Sequence, residues 1–272
     1  MKRISLPLYI GSFLIVLFSQ CASTKEATTT AKEPSPVAYS IQGVLFHQQA
    51  AEYDALCYQG YNFARLALAS NFTERSGNLP SAVIMDIDET VLDNSYFNAQ
   101  LILDDSAYSQ ALWSKWTATE KASPVPGALE FLRFADSLKI RIFYVSNRRT
   151  NELNATMNNL KKIGFPQVEL SQCLFRGENA SSSKEERRLA VAQNYEVLLL
   201  VGDNLADFSI AFEQAKTPAE RENAVVQLKS WFGDKYIILP NAIYGDWEKA
   251  LYRNAPTNTE REKVRRTRLK GY

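Results

Sequence analysis

The sequence predicts an α/β fold in which a parallel sheet is covered by helices on both faces. Two observations carry this. Short apolar runs at residues 82–85, 141–145, 197–201 and 236–239 alternate with segments of helical periodicity, the pattern of strands joined by helical crossovers. These runs are nearly continuous in Val, Ile, Leu and aromatics, as strands buried on both faces are. The chain has 272 residues, enough for one such domain with an insertion.

The elements follow in order. Residues 41–69 show helical spacing interrupted only by Gly43 and Gly60, and read as one or two helices. Ser76-Gly77-Asn78 is a turn before the run at 82–85. Residues 93–121 are polar and aromatic with weak periodicity and read as a mostly helical insertion. Pro124 and Pro126 close it, and Pro126 suits the first turn of a helix reaching about Leu138. A helix over 150–163 is stopped by Gly164 and Pro166. Further helices are expected over 184–194, 205–215 and 218–230.

Composition narrows function before any motif is read. Hydrophobic residues make up 46% and charged residues 22%, and formal net charge is +1, so no basic excess points to a nucleic acid polymer. The single histidine, His47, excludes phosphohistidine chemistry and His-rich dinuclear metal sites. With three cysteines as well, an ordinary His/Cys zinc site is not expected.

The first residues read as a targeting segment. Lys2 and Arg3 precede an apolar run from Ile4 to Phe18, shorter than the ~20 residues of a spanning helix. Residues 1–20 are expected to be a signal peptide. The run ends in Leu17-Phe18-Ser19-Gln20-Cys21, which resembles a bacterial lipobox, although Gln20 departs from the usual small residue. Lipidation at Cys21 would give membrane attachment through acyl chains; the alternative is a plain signal peptide with an incidental cysteine. Residues 21–38, rich in Thr, Ala, Ser and Pro, read as a flexible tether. Without residues 1–20 the chain keeps 29 basic and 30 acidic side chains, a net of −1. No Asp follows Cys21, which favours an outer-membrane lipoprotein. Cys57 and Cys173 would then be either a disulfide or two separate buried thiols.

The chemistry lies at strand ends. The run at 82–85 leads into Asp86-Ile87-Asp88-Glu89-Thr90, and that at 197–201 into Gly202-Asp203-Asn204-Leu205-Ala206-Asp207. Ligand sites in open α/β sheets lie at the carboxyl edge. Two strands therefore bring Asp86, Asp88, Asp203 and Asp207 to one edge, a cluster that repels itself unless a hard cation neutralises it. Mg²⁺ suits a few carboxylates plus phosphate oxygens. Between these motifs, residues 141–145 end in Ser146-Asn147-Arg148, and Lys184 opens a helix after three serines. A hydroxyl, an amide and an ammonium are suited to holding a phosphoryl group.

These four motifs, in this order, resemble those of the haloacid dehalogenase (HAD) superfamily. Met85 to Ser95, Trp113-Ser114-Lys115-Trp116, Val125-Pro126-Gly127-Ala128, Phe143 to Arg148, Val201 to Leu205 and Leu239 to Gly245 more closely resemble the class C ("DDDD") acid phosphatases, lipoproteins of the outer membrane. The similarity covers about residues 50–251. Ala206 departs from it, where the family often has Asp. The resemblance implies a Rossmann-like HAD core with a small, mostly helical cap, built from the insertion after the first motif and the N-terminal helix. It places the phosphatase domain at 39–255, the cap insertion at about 93–123 and a basic tail at 256–272.

The resemblance also implies roles. Asp86 is the nucleophile and Asp88 the general acid and base. Asp86, Asp203 and the Asp88 carbonyl bind Mg²⁺, with Asp207 either a direct ligand or one step removed from the ion, while Thr90, Ser146, Asn147 and Lys184 hold phosphate. Tyr108 and Tyr244 flank a substrate ring, or else support the fold. Trp113 and Trp116 are expected to pack the cap or a subunit contact. Small phosphate monoesters, 5′-nucleotides and aryl phosphates among them, are the expected substrates, with a homodimer left open. Two rival readings remain. One is a phosphotransferase on the same scaffold. The other is a non-catalytic adhesin or ligand-binding lipoprotein, against which the intact Asp86, Asp88, Lys184 and Asp203 argue. The basic run 261–270 is either a solvated helix or a contact for anionic lipid.

Overall fold

The computed structural model describes residues 35–272. The expected signal peptide, the lipidation site Cys21 and most of the tether lie outside them. Five strands form one all-parallel sheet in the order β5-β4-β1-β6-β7. They are β1 (Ser81–Met85), β4 (Arg141–Arg149), β5 (Cys173–Arg176), β6 (Glu196–Gly202) and β7 (Tyr236–Ile238). Two short strands, β2 (Leu92–Asp93) and β3 (Ser123–Pro124), pair antiparallel.

The two-residue period of a strand sorts the sheet into two faces. Val83 and Met85, Ile142 and Tyr144, and Leu199 and Val201 point to one face. There they meet α2 (Ala51–Glu74), α5 (Ala128–Ser137) and α6 (Leu153–Ile163) through Cys57, Tyr61, Leu68, Phe131, Leu132 and Leu160. Ala82, Ile84, Phe143 and Val145 point to the other face, against Val191 of α7 (Glu185–Ala192). A second patch joins Phe208, Phe212 of α8 (Ile210–Gln214), Ala224 of α9 (Pro218–Gln227) and Tyr236. Burying each large apolar side chain stabilises by about 1.5–3 kcal/mol. Truncating the fully buried Leu199 to Ala should therefore cost about 2–5 kcal/mol.

The insertion is helical as expected, with α3 (Ser95–Leu103) and α4 (Gln110–Thr117). The β2–β3 pairing, Leu92 with Pro124 and Asp93 with Ser123, closes its base. Phe97, Leu101 and Trp113 form its own small core with Val37. Helix α1 (Ile41–Gln49) packs on α3, so the N-terminal helix joins the insertion. The chain ends in α10 (Asp246–Leu251) and α11 (Asn258–Arg268), and the basic run forms this last, largely exposed helix.

Several elements differ from expectation. Strand β5 was not expected; it is four residues long, lies at the sheet edge and alternates in burial, so it lacks the continuous apolar run that marks the inner strands. Strand β4 runs on to Arg149 and carries Ser146, Asn147 and Arg148 within it. The helix expected over 205–215 is two pieces, a 3-10 turn at Leu205–Asp207 and α8, because Ser209 caps a new start. Cys57 and Cys173 are separate buried thiols.

Candidate active site

The site is assembled at the carboxyl edge of β1, β4 and β6. Asp86 follows β1, and its backbone amide donates to the Val201 carbonyl at 3.0 Å, which extends the ladder to β6. Its side chain is buried; Oδ1 pairs with Lys184 Nζ, and Oδ2 accepts from Thr90 Oγ1 at 3.3 Å. Lys184, at the N-terminal boundary of α7, also lies 2.7 Å from Asp207 Oδ1. Thr90 reaches Asp203 Oδ1 at 3.3 Å, and Asn241 donates to Asp203 Oδ2 at 2.8 Å. The 3-10 turn brings Asp207 back over the strand end, where its Oδ2 accepts from the Asn204 amide at 3.0 Å. Gly202 permits this approach, since a Cβ there would sit 2.5 Å from Asp207 Oδ2.

Asp86, Asp203 and Asp207 each offer an oxygen, and these oxygens lie within 4.8 Å of one another. Burial, opposed by Lys184 and reinforced by Asp207 and Asp88, pushes Asp86 up to about 7. Burial together with Asp207 and Asp86 holds Asp203 well above the carboxylate range. Burial works against the Lys184 charge, but Asp207 and Asp86 outweigh it and raise the ammonium's pKa. One lysine therefore leaves negative charge uncompensated in this triad. Close oxygen donors with excess negative charge fit a hard divalent cation.

Asp88 stands apart from the triad. Its Oδ1 accepts from Arg148 Nε and Asn94 Nδ2, both at 2.9 Å, and its Oδ2 from Ser146 Oγ at 3.3 Å. Arg148 is buried and also donates to Thr156 Oγ1 at 2.9 Å and Asn94 Oδ1 at 3.2 Å. The Asp86–Thr90 loop is fixed by Glu89, whose φ of 55° lies in the left-handed region. Its carboxylate accepts from the Asn94 amide at 3.1 Å and from the Tyr244 hydroxyl. Burial and Asp88 hold Glu89 well above the usual carboxylate range.

Asn147 is exposed, and its Oδ1 accepts from Arg187 Nη2 at 2.6 Å. That bond fixes the amide so that its NH₂ remains a donor. Arg187 also donates to the Ser146 carbonyl at 2.5 Å and the Ser183 carbonyl at 2.9 Å. One guanidinium thus links the Ser146–Asn147 segment to the start of the Lys184 helix.

The aromatic candidates divide. Trp113 packs in the cap beneath Phe97, with rings 5.1 Å apart, and the Trp116 indole donates to Asn94 Oδ1 at 2.9 Å. Tyr108 is largely exposed beside Trp113. Tyr244 reaches Glu89 through its hydroxyl. The structure thus gathers Asp86, Asp88, Thr90, Ser146, Lys184, Asp203 and Asp207 into one contact network. Arg148, Glu89, Asn94, Arg187 and Asn241 join it without having been singled out. Arg148, Glu89, Asn94 and Asn241 lie inside motifs quoted above, but their role depends on long-range pairing. Arg187 had no motif to mark it.

Comparison with known proteins agrees with this architecture. A family model described as HAD superfamily, subfamily IIIB (acid phosphatase) matches residues 13–247. The class C acid phosphatase from Bacillus anthracis is 37% identical, over 86% of this chain and 97% of that one, with a TM-score of 0.80. The same enzyme's structure with tungstate bound aligns with 36% identity, the same coverage and a TM-score of 0.80. The chain belongs to the class C acid phosphatases of the HAD superfamily, and it is a phosphatase.

Proposed function

We propose that the chain hydrolyses phosphate monoesters, 5′-nucleotides and aryl phosphates among them, in two displacements through Asp86. The observation that carries this is the buried Asp86 carboxylate, set between Lys184 and Thr90 at a strand's carboxyl end. A carboxylate nucleophile divides a hard hydrolysis into two easier steps. In the first, Asp86 attacks phosphorus, the P–O bond to the alcohol breaks, and Asp88 gives the leaving oxygen its proton. In the second, Asp88 takes a proton from water, which attacks the aspartyl-phosphate and releases phosphate and free Asp86. Asp88 Oδ2 suits this proton because its one bond is to Ser146, whereas Oδ1 is tied by Arg148 and Asn94.

Lys184, Thr90, Ser146 and the Asn147 amide hold the phosphoryl oxygens. Asp86, Asp203, Asp207 and the Asp88 carbonyl would hold Mg²⁺. Held there, the ion would supply charge neutralisation for the phosphoryl oxygens. The expected N-terminal lipid would attach this activity to a membrane of the cell envelope.

A phosphate-release panel of nucleotides and aryl phosphates, with and without EDTA and added Mg²⁺, tests the reading. Chelation should remove activity and Mg²⁺ restore it, and Asp86→Asn should abolish turnover while leaving the fold intact. Near-normal turnover by Asp86→Asn would overturn the nucleophile assignment. Full activity after exhaustive chelation would overturn the metal.

A further inference from the structure

A second charged feature lies on the same sheet edge. Arg149 near the end of β4 and Arg176 at the end of β5 face each other in the parallel ladder. Like charges directly opposite on neighbouring strands destabilise a sheet. Both residues are half-buried. Among the described residues neither guanidinium belongs to an ion pair. Among the described residues Arg176 Nε donates to the Ala180 carbonyl, at 3.0 Å. The acid beside Arg149, Glu152, is already taken; it accepts from Gln110 Nε2 at 2.8 Å, Ser114 Oγ at 2.7 Å and the Arg149 backbone amide at 3.0 Å.

The position of the pair says what it faces. Arg149 follows Arg148, which holds Asp88, the group assigned to the leaving oxygen. Tyr108 lies beside this segment: its hydroxyl donates to Gln110 Oε1 at 3.3 Å, and Gln110 donates to the Glu152 carboxylate that accepts from the Arg149 amide. The Tyr108 ring lies 6.4 Å from Trp113, which in turn lies 5.2 Å from the Arg148 guanidinium. Two half-buried guanidiniums with no ion-pair partner among the described residues therefore stand opposite each other next to the arginine that holds Asp88. Guanidiniums favour anions with paired oxygens. We propose that Arg149 and Arg176 form a subsite for a second anionic group, a phosphate or carboxylate, carried on the leaving group of the substrate. This rests on the phosphomonoesterase reading and names a substrate class within it.

The test compares substrates that differ in one anionic group. AMP is set against adenosine 3′,5′-bisphosphate, following release of the 5′-phosphate, and phenyl phosphate against 3-carboxyphenyl phosphate. The wild-type enzyme should favour the more anionic member of at least one pair in kcat/KM, and added salt should shrink that preference. Arg149→Gln and Arg176→Gln should each lower kcat/KM for that member about tenfold and leave its partner within about twofold. Arg149→Lys and Arg176→Lys should recover part of the loss. No wild-type preference in either pair, or an equal fall for both members, would overturn the subsite. Absence of phosphate release from all four substrates would instead overturn the functional reading on which it rests.

Discussion

The buried Arg148 forms an ion pair with the partly buried Asp88, in which Nη2 lies 2.8 Å from Oδ1. The guanidinium lies 5.2 Å from the Trp113 ring, and Asn94, which also holds Asp88, accepts from Trp116. The two cap tryptophans therefore bear on Asp88, the carboxylate proposed as acid and base, through Arg148 and Asn94. Removing the charge would leave Asp88 partly buried and unpaired, a loss of about 3–5 kcal/mol for a buried pair. Arg148→Lys is the gentler change, since it keeps charge and loses the fork. General acid catalysis contributes about 10²–10⁴-fold. Arg148→Lys should therefore lower kcat/KM, which reports the first displacement, about tenfold to a hundredfold for alkyl phosphates, and less for 4-nitrophenyl phosphate, whose leaving group needs little protonation. An equal loss on both would show that Arg148 does not act through Asp88.

The parts of this enzyme that were legible in the sequence share a cause. The strand runs before Asp86 and Asp203 are apolar throughout because helices cover both faces, and the carboxylates follow at once because the sheet edge is where the chain meets ligand. Strand β5 was not legible because an edge strand of four residues needs only alternate burial. Arg148 could not be assigned a role for a different reason. Its partners Asp88 and Asn94 are 60 and 54 residues away in the chain, and nothing local marks a buried arginine. The crowding of all four carboxylates was likewise only partly readable. Spacing puts Asp88 with Asp86, but β4 gives Asp88 its own partners, Arg148 and Ser146, and only Asp86, Asp203 and Asp207 converge on one point.

Tyr244 allows ring and hydroxyl to be separated. Its hydroxyl is bonded to Glu89, in the loop that carries Asp86 and Asp88, so Tyr244→Phe should disturb that loop and lower kcat alike for AMP and glycerol phosphate. Tyr244→Ala removes the ring as well. If the ring stacks on a base, the alanine variant should lose a further tenfold to hundredfold in kcat/KM for AMP alone, the equivalent of about 1–3 kcal/mol. Tyr108→Ala, with no bond to the motif loop, should affect AMP only. An equal loss for both substrates in Tyr244→Ala and Tyr108→Ala would show that neither ring reads the substrate.

Attachment is tested at Cys21. Mass spectrometry of the membrane-extracted protein should find an acylated N-terminal cysteine, and Cys21→Ser should shift the protein to the soluble fraction. One acyl chain gives only marginal binding, so the lipoprotein reading requires more than one. Wild-type protein in the soluble fraction with an unmodified N-terminus would sink it.

His47 makes stability depend on acid. Its imidazole is buried in α1 and stacked on Tyr53, with ring centroids 4.1 Å apart, and neither ring nitrogen has a hydrogen-bond partner among the described residues. Burial pushes it from 6.5 down to about 4. As pH falls, the unfolded chain therefore binds this proton before the folded protein does. The contribution is full above about pH 6.5, declines between 6.5 and 4, and falls no further below 4. The loss over that window is about 3 kcal/mol, which corresponds to roughly 5–10 °C in Tm for a chain of this size. His47→Phe keeps a flat ring against Tyr53 and removes the titration. Carboxylates that contribute to acid unfolding are the same in both proteins, so the difference between the two curves isolates His47. Thermal melts from pH 7.5 to 3.5 should show the wild type losing stability more steeply than His47→Phe between 6.5 and 4. Parallel curves across that window would mean that the imidazole is hydrated, or that it takes up its proton at its ordinary pH in the folded protein.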